Sequence, residues 1–194
     1  MILYVNACVR ADSRTKRLAA YLLGKLRGPV TELKPAEISL PKVDEDFLRT
    51  RDRLLQEGNI SHPMFGLARQ FSEADEIVIS APFWDLSFPA ALKQYLEQIN
   101  VVGITFRYTE DGIPVGLCRA KRLFYVTTVG GLYFPEAYGF GYVRDLARSF
   151  YGIGDTVLIH ADGLDIVGSE VERILRDCEA EIDRLFPEAS PSGS

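Results

Sequence analysis

Along the chain, unbroken apolar runs alternate with stretches in which apolar residues recur every third or fourth position. The runs fall at 2–8 (ILYVNAC), 76–82 (EIVISAP), 122–129 (RLFYVTTV) and 155–161 (DTVLIHA). Such runs suit strands buried on both faces, as in a parallel sheet covered by helices. A weaker run at 29–34 (PVTELK) reads as an edge strand. Between them, Leu18, Leu22 and Leu26 form one stripe, and Leu92, Tyr95, Leu96 and Ile99 another. Val143, Leu146, Ala147 and Phe150 follow the same rule, as do Val171, Ile174, Leu175, Cys178, Ile182 and Leu185. The alternation predicts an α/β doubly wound sheet of five parallel strands in the order 2-1-3-4-5, with helices on both faces.

Two segments depart from that alternation. Residues 44–74 are charged and break around Gly58 and Pro63, which predicts two helix pieces. Residues 104–118 (ITFRYTEDGIPVGLC) alternate, turn at Asp111-Gly112 and return, which predicts an inserted hairpin. No internal repeat divides the chain, so residues 1–187 are expected to form a single domain, with 188–194 as a disordered tail.

Composition narrows the function class. The 194 residues carry a formal net charge of -5, which gives no global bias toward nucleic acid. No apolar stretch approaches the ~20 residues that span a bilayer, and the N-terminus lacks a leader pattern. Cys8, Cys118 and Cys178 show no paired spacing, which reads as reduced thiols in a cytoplasmic protein. His62 and His160 lie apart from any Cys or His neighbour, so no metal site is expected. Cys8 and Cys118 are read as small buried residues rather than redox groups, and His160 as structural.

Ligands of open parallel sheets sit at the carboxyl ends of the strands, where strand order reverses. Three loops at such ends, 9–17, 82–89 and 128–141, are placed on one crevice by the predicted order. The first gathers Arg10, Ser13, Arg14 and Thr15 at a helix start, where free N–H groups and the helix dipole suit a phosphate. The alternative is that Ser13 or Thr15 merely caps the helix. Neither GxGxxG nor GxxxxGK is present, so the loop points to a phosphate monoester such as that of FMN. The second loop, PFWDLSFPAAL, which opens at Pro82, offers Phe83, Trp84 and Phe88 as a wall for a flat ring, with Ser87 as a helix cap before Pro89. A hydrophobic plug over the sheet is the competing reading. The third, TTVGG, brings Thr128, Val129, Gly130 and Gly131, where backbone can approach a ligand or simply turn.

With these motifs the chain resembles the FMN-dependent NADH-azoreductases among the flavodoxin-like NAD(P)H:quinone oxidoreductases, over about residues 1–185. The resemblance is most specific at APFWDLSFPAALKQYLEQI, GITFRYTEDGIPVGL and TTVGG. It implies a flavodoxin-like fold and a homodimer with FMN near the interface. It also implies two-electron, ping-pong transfer from NADH or NADPH to a small aromatic acceptor, a quinone or azo compound. By motif, Ser13, Arg14 and Thr15 would hold the phosphate; Phe83, Trp84, Asp85 and Leu86 would line the isoalloxazine; Thr128, Val129, Gly130 and Gly131 would take its pyrimidine side. The flavin carries the hydride chemistry, so no catalytic side chain is nominated, although Tyr108 could donate to a quinone oxygen. The family pattern has serine where this chain has Asn6 or Ala7, tyrosine-asparagine in place of Trp84-Asp85, and a polar or basic residue in place of Val129. Two alternatives on the same fold are an FMN electron carrier without pyridine-nucleotide activity and a signalling receiver. The receiver needs an acidic cluster that Asn6-Ala7-Cys8 does not provide.

Overall fold

The computed structural model describes residues 1–187; the tail expected at 188–194 lies outside the described residues. Strands β1 (Ile2–Asn6), β2 (Val30–Leu33), β3 (Glu76–Ser80), β6 (Arg122–Thr128) and β7 (Asp155–Ala161) form one sheet in the order β2-β1-β3-β6-β7. Every neighbouring pair is parallel. Counting the strands of this sheet alone, that is the 2-1-3-4-5 order of a flavodoxin-like fold. The two remaining strands, β4 (Phe106–Tyr108) and β5 (Pro114–Gly116), pair antiparallel as the inserted hairpin.

Burial explains the unbroken runs of β1, β3 and β6, whereas β7, expected to be buried on both faces, lies at the sheet edge and buries only Ile159 and Ala161. Successive residues of a strand point to opposite faces, and both faces here are covered. Leu3, Val5, Ile77, Ile79, Leu123 and Tyr125 pack into one core with α2 (Glu45–Gln56), α3 (Gly66–Glu73), α4 (Ala90–Ile99) and α5 (Phe140–Leu146). Ile2, Tyr4, Val78, Phe124 and Val126 face the other core, built on α1 (Arg14–Lys25) and α6 (Val171–Leu185). The charged 44–74 segment breaks as expected, with a short 3-10 turn (Pro63–Phe65) between α2 and α3. Leu26 falls just past the end of α1, in extended backbone.

The hairpin packs against the π-helical turn Ala147–Tyr151 that follows α5. The approach is close enough that a Cβ built on Gly116 would lie 2.0 Å from the Gly152 nitrogen. Among the described residues, no helix is long and apolar enough to cross a membrane.

Candidate functional site

The loops leaving the carboxyl end of the sheet continue its hydrogen-bond ladder. The Ala7 amide donates to the Ser80 carbonyl at 2.8 Å, Ala81 to Val126 at 2.9 Å and Phe83 to Thr128 at 3.1 Å. On the far side, Val129 donates to Ala161 at 2.8 Å, Gly163 to Gly131 at 2.8 Å and Asp165 to Gly130 at 2.9 Å. The order of the strands is thereby passed on to the loops. It sets Thr15, Phe83, Thr128, Gly130 and Asp165 around one crevice of about 260 Å³.

The first loop is fixed from below. Asn6 is buried, accepts from the Cys8 amide at 3.0 Å and the Ser80 hydroxyl at 3.2 Å, and donates to Glu32 at 2.7 Å. Asn6 therefore does what a short polar residue at this strand end must do: it closes the turn out of β1. Ser13 caps α1, its oxygen accepting from the Lys16 amide at 3.3 Å. The amides of Arg14 and Thr15, first in the helix, have no acceptor among the described residues. Capping and anion binding are thus compatible at this helix start. The Thr15 side chain is fully buried and shares a 2.6 Å hydrogen bond with the Thr128 hydroxyl, joining the first loop to the third. Arg14 donates through Nη1 to Asp165 at 2.7 Å and to the Leu164 carbonyl at 3.1 Å.

The second loop makes a two-residue turn. Trp84 and Ser87 exchange backbone hydrogen bonds of 3.0 and 2.8 Å, while Asp85 and Leu86 between them take φ of +50° and +67°. Both φ values positive is the signature of the tight hairpin turn that Asn-Gly favours. Holding aspartate and leucine there costs on the order of 1–3 kcal/mol per strained residue, the kind of strain that collects at ligand clamps. The turn exposes the Trp84 and Leu86 side chains and leaves the Asp85 and Leu86 amides without an acceptor among the described residues. Ser87 does not cap α4 as expected. Pro89 occupies the cap position, and the Ser87 hydroxyl instead donates to the Tyr138 carbonyl at 2.6 Å, tying the second loop to the third. Phe83 packs edge-on against Phe134 with centroids 5.1 Å apart, and Phe134 in turn stacks on His160.

Of the residues named from sequence, Arg10, Ser13, Arg14, Thr15, Pro82, Phe83, Trp84, Thr128, Val129 and Gly130 line the crevice. Asp85, Leu86 and Gly131 stand beside it, outside its lining. Sequence reasoning missed Leu164 and Asp165, in the loop after β7, and Val9 and Asp12 in the first loop. The same strand-end rule that selected three loops applies to residues 162–169 and would have found the first two. A Cβ built on Gly130 would meet the Asp165 carboxylate at 2.4 Å, so a side chain there would displace that exposed carboxylate. Tyr108 sits on the hairpin, outside the crevice lining. Burial pushes the thiols of Cys118 and Cys178 up to about 12 and that of Cys8 above its ordinary value, so at neutral pH they are protonated.

Comparison with known proteins gives one picture over most of the chain. The family model described as "Flavodoxin-like fold" matches residues 1–186. An FMN-dependent NADH:quinone oxidoreductase of Clostridium beijerinckii is 36% identical over 185 residues, 91% of this chain and 92% of that protein. One of the same name from Coprothermobacter proteolyticus is 35% identical, covering 95% of this chain and 96% of its own. Among solved structures, an azoreductase from Bacillus anthracis superposes with a TM-score of 0.82 at 25% identity, covering 95% of this chain and 97% of its own.

Proposed function

Because the chain belongs to the family of FMN-dependent NADH:quinone oxidoreductases, we propose that its crevice holds FMN and that the protein passes two electrons from NADH to a quinone or azo acceptor. The observation that carries this reading is the convergence on one crevice of a helix N-terminus with free amides, an aromatic wall and a glycine cradle. Each suits one part of FMN. The Arg14 and Thr15 amides, the Ser13 hydroxyl and the Arg10 and Arg14 side chains suit a phosphate dianion. Phe83 and Trp84 present apolar surface to a flat ring. Gly130 keeps the third loop free of a side chain where the backbone must come close. The unpartnered amides of Asp85 and Leu86 can meet ring carbonyls, which accounts for a strained turn at that point.

When bound, FMN supplies the hydride chemistry; the chain supplies position, exclusion of water and access. Thr15 and Thr128 lock the first loop to the third, and Ser87 locks the second to the third, so all three hold one geometry. No side chain of the crevice is assigned a proton-transfer step. The names of the relatives support NADH as the donor. Donor and acceptor use the same open face in turn, hence ping-pong kinetics.

Residues 1–187 act as one domain in this reading. A homodimer is supported by the exposed apolar side chains of the second and third loops, Trp84, Leu86, Leu132, Tyr133 and Tyr138. A cytoplasmic location fits the free cysteines. The carrier alternative is disfavoured, since the relatives are named for pyridine-nucleotide activity.

The test is anaerobic addition of NADH to the FMN-loaded protein, followed by a benzoquinone. Bleaching of the flavin band and its return on quinone addition support the enzyme. A flavin that stays oxidised in excess NADH and excess NADPH, yet accepts electrons from dithionite, identifies a carrier.

A further inference from the structure

The loop after β7 contributes a second carboxylate, in addition to that of Asp12, to a crevice otherwise suited to an anion. Asp165 is 72% exposed at its side chain, so burial does not hold it in place. Backbone bonds do. Leu164 and Asp165 donate to the carbonyls of Val129 and Gly130, Gly163 donates to Gly131, and the Ser169 hydroxyl donates to the Gly163 carbonyl at 2.6 Å. The carboxylate thus arrives beside Arg14 as a consequence of how the third loop is laid down, although the two residues lie 151 positions apart.

The atoms used by Arg14 give this contact its meaning. Both of its bonds, to Asp165 and to the Leu164 carbonyl, leave from Nη1. A guanidinium has five N–H donors in a fixed fork, and Nη1 accounts for two. The Nε and Nη2 hydrogens have no acceptor among the described residues, and that edge matches paired phosphate oxygens. An unanchored arginine of this exposure samples many rotamers, and binding would have to freeze them.

We propose that Asp165 is a positioning residue: it holds Arg14 by Nη1 so that the remaining edge of the guanidinium faces the phosphate of the flavin, and thereby sets the preference for FMN over riboflavin. The inference rests on the assignment of FMN to this crevice. Two effects of the carboxylate oppose each other. Its charge repels a phosphate, and its bonds orient the cation that attracts one. Because Asp165 is well solvated, the repulsion is screened, and orientation dominates.

The experiment measures binding of FMN and of riboflavin to the apoprotein by flavin fluorescence, for the wild type, Asp165→Asn and Asp165→Ala. Asparagine keeps the acceptor oxygen without the charge, so Asp165→Asn should bind FMN as tightly as the wild type or tighter. Asp165→Ala should lose about threefold to tenfold for FMN, with riboflavin unchanged. In an Arg14→Ala background, Asp165→Ala should have no further effect, as expected for residues acting as a unit. If both single variants bind FMN tighter than the wild type, or neither changes it, the carboxylate does not position Arg14 and the inference is overturned. Equal losses for FMN and riboflavin would mean that Asp165 only holds its loop, and would overturn it as well. A wild-type chain that binds neither flavin refutes the assignment of FMN itself, and the inference falls with it.

Discussion

Removing the Thr15 hydroxyl tests whether the first and third loops are held together as the structure has them. Thr15→Val keeps the shape of a fully buried side chain and removes one end of the 2.6 Å bond to Thr128. A neutral hydrogen bond contributes about 0.5–1.5 kcal/mol net, and a partner left buried without one costs about 1–3 kcal/mol. Thr128 is only partly buried, so water can reach its hydroxyl and the cost belongs at the low end of that range. The expected loss is about 1–1.5 kcal/mol, or roughly 2–6 °C in Tm for a chain of this size. Thermal unfolding of the apoprotein measures it, with Thr128→Val and the double variant completing a cycle. If the two hydroxyls serve each other, the double variant is hardly worse than either single one. Additive losses would show that each hydroxyl has a different partner, and the joining of the two loops would have to be given up.

Asp85→Asn should raise the midpoint potential of bound FMN by roughly 10–20 mV, since an exposed carboxylate beside the ring opposes added negative charge only through a high dielectric; an unshifted potential in a redox titration places the carboxylate out of electrostatic reach. Hydrogen bonds from Arg17 to Glu172, and from Lys25 and then Tyr21 to Asp183, hold those carboxyls below their usual range and join α1 to α6. Their folded pKa values are depressed, so the stabilisation is present above the ordinary carboxylate pKa of about 4 and is lost as pH falls through the folded values. Tm should decline below about pH 4, less steeply in high salt, and a Tm unchanged down to acid pH would contradict the pairing. Burial raises the thiol pKa of Cys8, Cys118 and Cys178. Ellman's reagent should therefore react slowly with the native chain and fully after unfolding, whereas rapid native titration would show an activated thiol.

The sheet was legible because its three central strands, β1, β3 and β6, write their burial into consecutive residues. A run such as Ile77, Val78 and Ile79 can be apolar throughout only if helices cover both faces. The loops followed from the strand order. The finer arrangement depends on contacts that no local pattern carries. Ser87 beside Pro89 looks like a cap, yet its hydroxyl finds a carbonyl 51 residues away. Asp85-Leu86 lacks the Asn-Gly signal of the turn it makes, because the turn is imposed by Trp84 and Ser87 pairing over the crevice. Asp165 sits in a loop without aromatic or glycine-pair punctuation, and its partner Arg14 comes from the other end of the chain. Topology was readable from periodicity; ion pairs across it were not.

The central claim is that FMN occupies the crevice between the first, second and third loops and the loop after β7. Titration of FMN into the uniformly 15N-labelled apoprotein, followed by amide chemical shifts, tests it most directly. The largest changes should fall on Arg14 and Thr15, on Asp85 and Leu86, on Gly130 and Gly131, and on Leu164 and Asp165, saturating together at one FMN per chain. Shifts concentrated on the hairpin or on the outer faces of α1 and α6, with those amides unmoved, would contradict the account.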